Sequence, residues 1–465
     1  MAATSVSVEA DDAQGLVASA YGHLPHGRFL LLGVADRTAA RGWLRDLAAS
    51  VTTAAGRVEG QAVNVALTPS GLEKLGAPPA ALAGFSREFQ DGMTEPSRGR
   101  TLGDSADSAP QYWAWGSPDS AQIDLVLLLY ASTPARLDQT LERHGDLRGT
   151  GLRVVHRLEA RRDDREHFGF HDGISQPAVA GLSKAGPARD TVKAGEFLLG
   201  YENEYGQFTA RPLLDPALDP GRLLPLDVQG SGRHDLGRNG TYLVLRQLAQ
   251  DVSRFWSHLE QASGNGHGDA TALAARMVGR WPNGAPLVLS PERDDPALTT
   301  ANDFTYHEPD ELGLRCPIGA HVRRSHPRDS LDPRPGSDTS ISIDKRHRLL
   351  RRGRLYGPRL DRTAALARGA NNADHEERGL HFMGLCASLS RQFEFIQHTW
   401  VMSPKFDGLY EDADPLMGPP GRTFTIQSKP TRRRVKDLPA FVHTRGGAYF
   451  FLPGIRALRW LGSLP

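Results

Sequence analysis

The chain has 465 residues, 39 % of them hydrophobic. At about 150 residues per domain that is too long for one small domain, and it is apolar enough for a sizeable core. Lys and Arg number 55 against 54 Asp and Glu, a net charge of +1 that gives no field favouring nucleic acid or an anionic membrane. Only seven of the basic residues are Lys, so an isolated Arg says little and a functional one must be argued from its setting. Two cysteines, Cys316 and Cys386, exclude a disulfide framework and a cysteine-rich metal site, and both read as buried thiols. No run reaches the roughly 18–20 apolar residues of a membrane span. The N-terminus lacks the basic and apolar regions of a secretory signal, so a cytoplasmic protein is expected.

Residues 1–11 read as a flexible tail. The first half then alternates strands and helices. Strands are expected at 27–35, 62–68, 123–131 and 152–160. Helices are expected at 38–54, where Trp43, Leu44, Leu47 and Val51 recur at helical spacing, and at 133–145, opened by a Thr cap and a Pro. A polar stretch at 77–120 is too long for an ordinary connection and reads as an excursion. Residues 212–240 are rich in Pro, Gly and Asp and read as a linker between domains at 12–211 and 241–465. The second half repeats the grammar: strands at 241–249, 320–325, 348–357, 380–388 and 446–454, helices at 251–264 and 390–401. The fold class this implies is α+β, two ferredoxin-like domains with antiparallel sheets, of the dimeric α+β barrel type.

Three segments carry chemistry. In the first, 166–181, Gly169 and Gly173 frame Asp172 between Phe168, Phe170 and Ile174. Alone, Asp-Gly reads as a turn. An acid in apolar surroundings, however, is expected to have a raised pKa suited to proton transfer. In the second, 316–329, no spacing matches a zinc site. Read as a strand, it places His321 and Arg323 on one face. An imidazole beside guanidinium groups fits an iron porphyrin, which wants an axial His and cations for its carboxylates. In the third, 347–360, Arg348, Arg351 and Arg352 precede a Gly and read alone as a solvated edge. The basic run 432–436 likewise reads as a solvated face, not a nucleic-acid site.

Together these segments resemble the dye-decolorizing haem peroxidases, from residue 12 to residue 454. The GxxDG motif stands at Gly169–Gly173, and the proximal AHxR motif at Ala320–Arg323, followed by His326-Pro327-Arg328. The distal LLRRGxxYG strand stands at Leu349–Gly357. The resemblance implies haem b held in the second domain on His321, with Asp172 transferring the peroxide proton and Arg351 stabilising charge. Gly173, Ile174 and Ser175 would pack on the haem, and Arg323, Arg328 and Arg351 would complete its site. His326 stands where the family often has Asn and is a competing ligand; Glu394 is the expected partner of His321. Residues 329–347 look like an insertion beside the haem entrance. Hydrogen peroxide and organic donors are the implied partners, with a homo-oligomer left open. Trp113, Trp115, Trp256, Trp281, Trp400 and Trp460 read as core residues, although the family makes surface relays conceivable. Two alternatives stand beside this reading: a haem-handling, deferrochelatase-like protein on the same scaffold, and a cofactor-free ferredoxin-like binding module.

Overall fold

A computed structural model describes residues 7–183, 186–264, 269–369 and 376–465. In the first half, β1 (His26–Val34), β2 (Gln61–Leu67), β3 (Leu125–Ala131) and β4 (Leu152–Arg161) pair antiparallel in the order β4-β1-β3-β2. Helix α1 (Arg37–Ala48) starts where the Asp36 carboxylate accepts the Ala39 N–H. Helix α2 (Pro134–His144) starts where the Thr133 hydroxyl accepts the Arg136 N–H, with Pro134 behind it. In the second half, β5 (Thr241–Gln250) leads into α3 (Val252–Ser263). It lies between β8 (Gly379–Cys386) and β9 (Val442–Leu452), and β8 carries the short strands β6 (Leu350–Arg351) and β7 (Arg354–Tyr356).

The two sheets do not stand apart. Phe451 of β9 pairs with Leu67 of β2, and Leu355 of β7 pairs with Arg161 of β4, so the strands close into one ring. Strand alternation then gives each face its own core. Phe29, Leu31, Val126, Leu128, Tyr130, Leu243, Leu245, Met383 and Phe450 fill the interior. Leu30, Leu32, Leu127, Leu129, Tyr242, Val244 and Phe451 point outward, under helices that include α1 and the C-terminal α-helix Ile455–Ser463.

Three segments differ from expectation. The tail is anchored from its eighth residue on: Val8 is buried, and Glu9 pairs with Arg238 at 2.7 Å and with Arg456. Residues 1–6 lie outside the described residues. The stretch 212–240 is packed, with Leu214, Leu224 and Leu236 buried and Arg211 clamped by Asp227 at 2.5 Å and Asp235 at 2.6 Å. Pro, Gly and Asp make turns; they do not say whether the turns are solvated. The excursion at 77–120 folds as short helices over the second sheet, and Trp115 donates to Gln247 of β5 at 2.7 Å. Trp113, Trp115, Trp256, Trp281, Trp400 and Trp460 are buried, as are both cysteines. Truncating the barrel interior at Leu128→Ala is expected to cost about 2–5 kcal/mol in urea unfolding, as for other fully buried leucines.

Candidate active site

The loop carrying Asp172 is tied from within. The Glu166 carboxylate accepts the N–H groups of Phe168 and Phe170, each at 2.9 Å, and the Gln250 amide of β5 at 2.6 Å. Phe168 stacks on Phe255 of α3, ring centroids 4.3 Å apart. Gly169 and Gly173 hold φ of 101° and 86°, a region costly for any side chain, and around each the space a Cβ would take is open. Asp172 emerges with Oδ1 accepting the Gly173 N–H at 2.6 Å and Arg351 Nη1 at 3.1 Å. Arg351 is fixed in turn: its N–H donates to Gln176 Oε1 at 3.1 Å, and β6 pairs it with Gly384 of β8.

His321 arrives from the other side. It opens a short α-helix, His321–Ser325, and its Nδ1 lies 2.9 Å from Asp414 Oδ2. The Asp414 side chain is fully buried, and its other oxygen accepts the N–H groups of Leu416 and Met417, each at 2.9 Å. A carboxylate so held can only accept from His321, which puts the proton of the neutral ring on Nδ1 and leaves its Nε2 lone pair free. Burial pushes the His321 imidazolium down, but the Asp414 carboxylate outweighs it and holds the group above its usual range. His321, Asp172 and Arg351 feel one another's charge, and their side chains are 31, 44 and 37 % exposed although protein encloses Asp172 and His321. They line a recess.

The Asp172 carboxyl is not raised, as its apolar neighbours suggested. Burial does push it up, but Arg351, the Gly173 N–H and His321 together hold it below the usual carboxylate range. Within the expected strand 320–325, His321–Ser325 is helix, and two residues on a helix turn about 200°. Arg323 therefore leaves the His321 face. It is buried on Asp310 at 3.2 Å and the Cys316 carbonyl at 2.9 Å. Arg328 lies over the Phe304 ring at 3.8 Å and donates to the carbonyls of Asn302 and Phe304. Both guanidinium groups are held by protein acceptors.

His326 does not compete for a metal. Ser175 Oγ lies at 2.9 Å, Arg348 Nη1 at 2.7 Å and Asp344 at 3.1 Å, and burial, then the Arg348 charge, push its imidazolium down to about 3. Glu394 is bound elsewhere, to Arg98 and Tyr449. Asp414, the actual partner of His321, lies 93 residues away in a segment without a motif. Residues 329–347 include a helix, Asp338–Lys345, whose Asp344 supports His326.

Among the described residues no group of three His, Cys, Asp or Glu is arranged to hold a bare metal ion. One anchored imidazole with a free Nε2, facing an open recess beside Gly173, fits a metal that brings its other ligands in a flat macrocycle.

No family model matches the chain. It is 30 % identical over 446 residues to a dye-decolorizing peroxidase of Mycena epipterygia, covering 85 % of this chain and 75 % of that one. It is 29 % identical to a multifunctional dye peroxidase of an Amycolatopsis species, covering 76 % and 74 %. The crystal structure of a fungal DyP-type peroxidase from Auricularia auricula-judae covers 99 % of this chain and 100 % of that one, with a TM-score of 0.80 and 28 % identity. Fold and site thus define a peroxide-dependent oxidoreductase built on an α+β barrel. The chain belongs to the dye-decolorizing peroxidases.

Two outcomes test the geometry. In the haem-free protein, Asp414→Ala is expected to lower the His321 pKa followed by NMR titration; an unchanged value would detach the carboxylate from the imidazole. Burial holds the His326 pKa at about 3 in the fold, against about 6.5 for an unperturbed imidazole, so the unfolded chain binds the proton more readily. Its contribution to stability is full above about pH 6.5 and is lost as pH falls towards 3. Urea unfolding at pH 7.5 and 5 should show this loss, and His326→Gln should flatten it.

Proposed function

We propose that this protein is a haem b peroxidase in which hydrogen peroxide oxidises organic donors, dyes and phenolic compounds among them, by one-electron steps. The observation that carries the reading is the Asp172–Arg351 pair, set in the same recess as the free Nε2 of a carboxylate-anchored His321. His321 would hold the iron, and Gly173, Ile174 and Ser175 would border the macrocycle. Bound haem would supply the redox chemistry with peroxide.

The protein's own share is proton handling and charge. Asp172, held ionised by Arg351 and the Gly173 N–H, accepts a proton from peroxide at one oxygen and returns it to the departing oxygen as water forms. A lowered pKa keeps it a base in acid solution. Arg351 is a permanent cation, and it stabilises the negative charge that grows on the departing oxygen as the O–O bond breaks. Asp414 keeps the His321 ring oriented and its Nε2 electron-rich. A haem carrier would need the imidazole and the recess but no paired acid and cation.

Loss of the Soret band after haem reconstitution of His321→Ala is the expected result; a normal five-coordinate spectrum would move the ligand elsewhere. Arg351→Leu should slow the reaction with peroxide by about 10²–10³ at every pH, as for loss of one oxyanion donor. Asp172→Asn should instead remove the acid limb of the pH–rate profile, which in the unaltered protein lies below the usual carboxylate pKa of about 4. Stopped-flow traces of the two variants from pH 3 to 8 separate the roles. A near-normal rate in Asp172→Asn would reduce the Asp-Gly pair to a turn.

A further inference from the structure

Outside the recess, one buried cluster is built as tightly as the site and has no part in the chemistry above. Tyr449 on β9 is 2 % exposed, and its hydroxyl donates to Glu394 Oε1 at 2.9 Å. Glu394 lies in a wide π-helical turn, Leu389–Glu394, and Arg98 Nη1 reaches both of its oxygens at 3.0 Å. Arg98, on the short α-helix Pro96–Leu102, also pairs with Asp91 at 3.1 Å nearer the surface. A phenol resists oxidation while it keeps its proton. A carboxylate already holding that proton by a hydrogen bond removes the obstacle, because the proton can move as the electron leaves. In a dry setting no water competes for it.

The cluster is joined to the active site through aromatic rings. Arg351 pairs with Gly384, and the Phe382 ring lies over that glycine, where a Cβ would meet it at 3.2 Å. Phe382 is 5.9 Å from the Phe393 ring, and Phe393 is 6.2 Å from Tyr449, centroid to centroid. We propose that Tyr449 is a proton-coupled redox residue, giving one electron to the oxidised prosthetic group and its phenolic proton to Glu394. This rests on the peroxidase reading. The Tyr449 O–H bond breaks, the proton passes to a Glu394 oxygen, and a neutral phenoxyl remains. An electron-rich organic donor then returns the electron, and Glu394 returns the proton. Burial raises the Glu394 carboxyl above its usual range, against the pull of Tyr449 and Arg98, which makes it the stronger base.

The test is rapid freeze-quench EPR of the haem-loaded protein after mixing with hydrogen peroxide. A tyrosyl signal that narrows with ring-deuterated tyrosine is expected. Tyr449→Phe should lose it while the Soret band still responds to peroxide. Glu394→Gln keeps the size of the acceptor but not its basicity, and should lose most of the signal too; it decides the matter if Tyr449→Phe fails to load haem. The same signal in Tyr449→Phe, or an undiminished one in Glu394→Gln, overturns the proposal. So does a Soret response without any tyrosyl signal in the unaltered protein. A Soret band indifferent to peroxide there would instead remove the peroxidase reading on which the proposal stands.

Discussion

Four backbone carbonyls converge on one buried guanidinium, and the site depends on them. Arg324 donates to the carbonyls of Gly319, Trp400, Ser403 and Asp412, between 2.8 and 3.1 Å. Irregular chain inside a protein leaves carbonyl oxygens without partners, and an unpartnered buried cation is costlier still. One five-donor fork answers both needs at once. Its carbonyls come from the turn before His321, from the end of the 390–401 segment, and from the loop that continues to Asp414. The His321–Asp414 hydrogen bond thus joins two pieces of chain already held in place by Arg324. Arg280 and Arg328 do the same around 284–304, as Arg352 does for the carbonyls of Leu16 and Val17.

The Arg-rich composition therefore gains a physical meaning at its buried positions. A lysine ammonium is a strongly hydrated point charge with three donors, and burial would push it to shed its proton. Arg keeps its charge and spans carbonyls on separate loops. The excess of Arg over Lys reads as a property of the whole chain, yet the individual arginines divide into structural forks such as Arg323, Arg324 and Arg328 and the open Arg351.

That division was the least legible feature of the sequence. Strands β1 to β5, β8 and β9, with helices α1, α2 and α3, could be read from alternation, helical spacing and cap residues. Those signals are local, and the core enforces them. The loop around Asp172 was legible because only glycine takes φ near +100° cheaply. Residues 320–325 were misread because one short turn of helix carries too few positions to show a period. Arg323 was placed on the His321 face by that strand reading and Arg328 by the resemblance; in the fold Asp310 meets the first, and the carbonyls of Asn302 and Phe304 meet the second. Asp414 left no trace. A buried acid 93 residues from its imidazole is fixed by tertiary packing alone.

The carboxylates show how one functional group takes several roles according to its donors. Glu166 accepts two N–H groups and an amide, and so organises a loop. Asp414 accepts two N–H groups and an imidazole, and so orients a ligand. Glu394 meets a guanidinium and a phenol, and holds a proton acceptor against an oxidisable ring. Asp172 spends one oxygen on Gly173 and Arg351 and opens its carboxylate to the recess. Glu166 and Asp414 hold geometry and Glu394 faces one fixed phenol; Asp172 is left able to exchange a proton with whatever enters. The fold makes this distinction by placing Asp172 between two glycines of positive φ, where the space a side chain would take stays open.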